Sequence, residues 1–73
     1  METNLLEQIK EVTEKVISLL NIELHIQYKH ETNEIAVYHN TYSICLYTIN
    51  ITQENLDIIN TTIQRLENEQ RLN

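Results

Sequence analysis

The chain has no glycine, proline, tryptophan or phenylalanine, and one cysteine and one methionine, in 73 residues. Each absence excludes something. Without glycine it lacks the loops that bring backbone N–H groups up to a phosphate or shape an oxyanion site. Without glycine in either turn, the asparagines are expected to supply any positive φ. Cys45 stands alone and cannot close an internal disulfide. No apolar run reaches the length of a membrane span or a signal-peptide core, so a cytoplasmic location is expected. Basic residues are also scarce: five Lys and Arg face eleven Asp and Glu, a formal charge of −6. That balance argues against nucleic-acid phosphates or anionic lipid as direct ligands and points to protein partners, basic ones among them.

What the chain does have is an apolar pattern that changes period twice. Leu5, Ile9, Val12, Val16 and Leu19 alternate spacings of four and three, and Leu6, Ile17 and Leu20 widen the stripe. The spacing predicts an amphipathic helix over 4–20, capped by Asn4 with Glu7 three residues on and stopped at Asn21. From Ile22 the period becomes two. Ile22, Leu24, Ile26 and Tyr28 alternate with Glu23, His25, Gln27 and Lys29, as in a half-buried strand over 22–30. Two further strands are expected at 34–39 and 42–49, joined by turns at Thr32-Asn33 and Asn40-Thr41. Those turns pair Tyr28 with Val37, Val37 with Ile44 and Ile35 with Leu46, and both registers put the same apolar set inward. Helical spacing returns with Leu56, Ile59, Ile63 and Leu66, giving a helix over 53–68 capped by Thr52, with a frayed tail at 69–73.

The fold class is therefore α+β: a single domain over 1–73, ordered α-β-β-β-α, a three-stranded antiparallel meander with two helices on one face. The other face is expected to be bare, with His25, Gln27 and Lys29 beside Ala36 and Tyr38, and these beside Ser43, Cys45, Tyr47 and Ile49. Tyrosine is enriched where proteins meet, which nominates Tyr38 and Tyr47 as partner anchors. An antiparallel sheet can also simply face water on one side. Acidic candidates complete the expected docking surface: Glu7, Glu11 and Glu14 in a row on the first helix, Glu31 and Glu34 around the first turn, and Glu54 and Asp57 opening the second helix. As solvated helix charges, Glu11 can instead pair with Lys15, and Lys10 lies beside Glu7 and Glu14.

Catalytic and metal chemistry find little footing. His25 and His30 are five apart and point to opposite faces of a strand, and no His-x-x-x-His spacing occurs. Cys45 and His25 lie on non-adjacent strands, and no basic residue stands near Cys45 to hold a thiolate. No catalytic residue, metal ligand or cofactor is expected. The expected function is that of a non-catalytic protein-binding module, with a structural homodimer built through the bare sheet face or an edge strand as the alternative.

In size, charge and element order the chain resembles small acidic inhibitors of host defence made by phages and mobile elements, of the anti-CRISPR or DNA-mimic type. The resemblance covers the whole chain and rests on no shared motif. It implies a viral protein acting stoichiometrically in the host cytoplasm by occupying a basic, nucleic-acid-binding groove of its target. Lys10, Lys15 and Lys29 interrupt the negative field, so what is implied is a protein-binding inhibitor more than a direct DNA mimic.

Overall fold

Residues 4–72 are described by the computed structural model of the chain. Asn4 opens the first helix, α1 (Leu5–Leu20), in the expected way: its side-chain oxygen accepts the Glu7 N–H at 2.8 Å. Asn21 closes it in the left-handed conformation, with φ 54°. The Asn21 and Ile22 N–H groups bond back to the Ser18 and Ile17 carbonyls at 3.1 and 3.4 Å. That closure corrects one boundary. Ile22 belongs to the helix cap through its backbone bond to Ile17, and not to the strand its alternation predicts.

Three six-residue strands follow, β1 (Leu24–Lys29), β2 (Glu34–His39) and β3 (Cys45–Asn50), antiparallel and in spatial order β1-β2-β3. The meander is as expected, but both registers differ. In the first hairpin Tyr28 lies opposite Ile35 and Ile26 opposite Val37, a shift of two residues that leaves the inward set unchanged. The second shift is odd. Val37 pairs with Tyr47 and Ile35 with Ile49, while Tyr38 pairs with Cys45, leaving Leu46 as an extra residue in a bulge. The strand therefore turns over: Tyr47 and Ile49 face the helices, and Ile44 and Leu46, expected inward, are exposed.

Turn chemistry explains both shifts. A two-residue hairpin turn of the favoured kind needs positive φ at both central positions, and β-branched Thr32 or Thr41 resists it. The chain uses longer loops instead. The first puts its left-handed residue at Asn33 (φ 53°), where the Tyr28 hydroxyl donates to the Asn33 side-chain oxygen at 2.9 Å. In the second, Ser43 (φ 55°) takes the role expected of asparagine, and its N–H bonds the His39 carbonyl at 2.9 Å. The Thr41 N–H bonds His39 Nδ1 at 3.1 Å, and the Tyr42 ring tilts against the His39 ring at 5.0 Å.

Helix α2 (Gln53–Leu72) is capped by Thr52, whose hydroxyl accepts the Asn55 N–H at 3.1 Å. It runs beyond the expected end. The tail is helical as far as Leu72, and the Gln70 side-chain amide donates to the Leu19 carbonyl at 3.1 Å; Asn73, the rest of the expected tail, lies outside the described residues. With Lys15 Nζ 3.8 Å from Glu67, that bond shows the two helices running parallel. Both cover one face of the sheet. Ile9, Ile35 and Leu56 form the buried centre, with Leu5, Leu6, Val12, Ile26, Ile49, Ile51 and Ile59 packed around it. Each fully buried aliphatic side chain contributes roughly 1.5–3 kcal/mol of transfer free energy.

Candidate functional site: an acidic end and an uncharged edge

Parallel helices and a meander give the molecule two unlike ends. α1 leads directly into β1, which runs back, so the β1–β2 loop returns to the N-terminus of α1. The same end receives the N-terminus of α2, because the Ile51 N–H bonds the Asn33 carbonyl at 3.3 Å and Glu34 lies opposite Asn50. Glu7, Glu31, Glu34, Glu54 and Asp57 are thereby gathered at one end from four separate segments. Glu11 and Glu14 continue the row along the exposed face of α1, with Lys10 among them.

Glu34 differs from the rest. The Thr48 hydroxyl, then the Thr32 hydroxyl, hydrogen-bond its carboxylate, and with Lys29 close by they hold its pKa below the usual glutamate value against a smaller opposing effect of desolvation. Those two hydroxyls take up part of its acceptor capacity, whereas Glu31, Glu54 and Asp57 are exposed. Asp57 accepts from the Gln53 amide one turn earlier, at 3.0 Å. Lys15, expected to pair with Glu11, instead reaches Glu67 on the other helix.

The two tyrosines do not share a surface. Tyr38 is on the open face, half-buried, with the His25 ring stacked on it at 5.5 Å and 16°. The His25 Nδ1 donates to the Asn40 side-chain oxygen at 2.6 Å, which fixes the stack from the neighbouring loop. Tyr47 is on the helix side, moved there by the odd register together with Ile49. The open face is consequently more polar than expected: Gln27, Ala36 and Thr48 lie in line across its middle.

The apolar surface lost from that face reappears elsewhere. An open groove of about 290 Å³ runs between the helices and the sheet, from the first turns of α2 to the last turn of α1, lined by Val16, Ile17, Leu24, Tyr47, Ile49 and Ile58 among others. Thr13 lies in its floor, buried, with no hydrogen-bond partner for its hydroxyl. Tyr47 and Ile58 on the rim are 54% and 55% exposed, and Ile44 just before β3 and Leu46 within it are 57% and 50% exposed. β3 is an edge strand, and five of its six residues are exposed. One signal in the sequence marks this region: from Ile35 to Gln53 there is no Asp, Glu, Lys or Arg.

Among the described residues no group of three or more His, Cys, Asp or Glu is arranged to hold a metal ion, and no helix is long and apolar enough to cross a membrane. Cys45 is an exposed free thiol, with its Sγ 3.7 Å from the Tyr47 carbonyl. No protein-family model matches the chain, and no characterised protein or solved structure is significantly similar to it.

Proposed function

We propose that the protein is a non-catalytic, cytoplasmic protein-binding module that acts stoichiometrically, as an inhibitor of a phage type, on a basic surface of a nucleic-acid-handling or defence complex of its host. The observation that carries this reading is the convergence of carboxylates from both helix starts and the first turn on one end of the molecule. Such a concentration of one sign attracts a basic partner from a distance and selects its orientation. Glu31, Glu54 and Asp57, exposed and at the same end of the fold, do most of the steering. Glu7, Glu11 and Glu14 extend the negative field along α1. Tyr38, held rigid under His25, supplies an aromatic contact on the open face.

The partner is found by placing a photo-crosslinking residue at position 31 in cells and identifying what it captures, and the complex is then rebuilt from purified components. The reading predicts a one-to-one complex that forms about tenfold more slowly at low salt when Glu31→Lys and Glu54→Lys are combined, a difference that fades as salt screens the field. Association at an unchanged rate would refute the steering role. Inactivation of the partner by far less than one equivalent would refute stoichiometric action.

A further inference from the structure

We infer that the open edge of β3 pairs with the same edge of a second copy of this chain, about a twofold axis at Thr48. The backbone selects the register. The Ile51 N–H bonds the carbonyl of Asn33, the residue before β2, so by the alternation of an antiparallel ladder Ile49 and Tyr47 also turn their backbone groups toward β2. Thr48 and Asn50 then turn theirs to the open edge, and at Leu46 the bulge breaks the alternation. Along that edge the Asn50 carbonyl is already engaged by the Asn55 side-chain amide at 2.9 Å. Thr48 is at the centre of what is left, and a pair of Thr48 residues facing each other across the axis exchanges two N–H···O=C bonds.

The same register sets Tyr47 of each copy opposite Ile49 of the other on the helix side, which covers the exposed tyrosine and closes the rim of the apolar groove. Charge identifies the occupant as a second copy. Two chains of formal charge −6 repel wherever their carboxylates meet, and β3 lies within the stretch from Ile35 to Gln53 that carries no formal charge. Edge strands are commonly protected by Lys or Pro, and this one has neither. Its one irregularity, the bulge at Leu46, confines regular pairing to the strand's second half. Antiparallel pairing also sends the two acidic ends to opposite poles. Both stay open to partners, so the dimer does not depend on the protein-binding reading and its failure would leave that reading intact.

Facing residues of a hydrogen-bonded antiparallel pair have Cα atoms about 5.5 Å apart, within reach of a disulfide. In a Cys45→Ser background, Thr48→Cys should therefore give a covalent dimer on mild oxidation in high yield, and Glu31→Cys should not. Monomer in both variants, or equal cross-linking in both, would overturn the inference. A second variant guards against misfolding: Thr48→Lys puts two like charges face to face across the axis, while within each copy the new ammonium can pair with Glu34. It should keep the circular dichroism of the wild type and sediment as a monomer. A folded Thr48→Lys protein that remains dimeric would also overturn it.

Discussion

Residues whose polar groups have found partners inside the fold can be told from those that have not, and the two kinds behave differently. Glu34 is of the first kind. Its folded-state pKa is depressed, so its contribution to stability is present above the ordinary glutamate pKa of the unfolded chain and is lost as pH falls through the lower folded value. The loss is confined to the acid side of about pH 4.5. Replacing Thr48 by Val removes the largest cause of the depression; an NMR titration should find the Glu34 carboxyl moved up toward its ordinary value, and an unmoved pKa would show that the Thr48 hydroxyl does not hold it. Thr13 is of the second kind. Its buried hydroxyl has no partner, and Thr13→Val keeps the shape while removing the desolvated group. Denaturant unfolding should show a gain of about 1 kcal/mol.

Among the elements, the helices and the existence of three strands were legible in the sequence, and the pairing of the third strand was not. Asn4, Asn21 and Thr52 act as the caps their positions imply, because capping is decided by a few neighbouring atoms. Register is decided by the loop. In and just before β3, Ile44, Leu46 and Tyr47, Ile49 form two competing alternating sets, and sequence alternation does not say which faces in. The long second loop, its left-handed Ser43 and the bulge at Leu46 select the second set. Ser43 bears the local strain that glycine would relieve. Ser43→Gly should raise stability by about 0.5–1 kcal/mol, and Ser43→Val should lower it by at least as much, both read from thermal unfolding. A neutral Ser43→Val would show that the left-handed position is not required. The same misplaced register explains the candidate site. Acidic positions on helices and in turns could be named from sequence, since no register enters into their exposure, whereas Tyr47 and Ile49 could not be placed on the correct face.

The whole molecule is packed unevenly. Ile9, Ile35 and Leu56 close the centre of the core, while an apolar groove is left open beside it between the helices and the sheet. In so small a domain one deletion at the closed centre is severe: Ile35→Ala should cost about 2–5 kcal/mol, a large part of its total stability, measured by urea unfolding of a dilute sample. Charge is uneven as well, with carboxylates gathered at one end and an uncharged strand edge beside the groove. That division is the central claim, and the solution mass of the chain by light scattering, over a concentration series at low and at high salt, tests it most directly. Pairing through the uncharged edge predicts a dimer that tightens as salt screens the repulsion between two chains of charge −6. A monomer throughout, or a dimer that salt pulls apart, would contradict it.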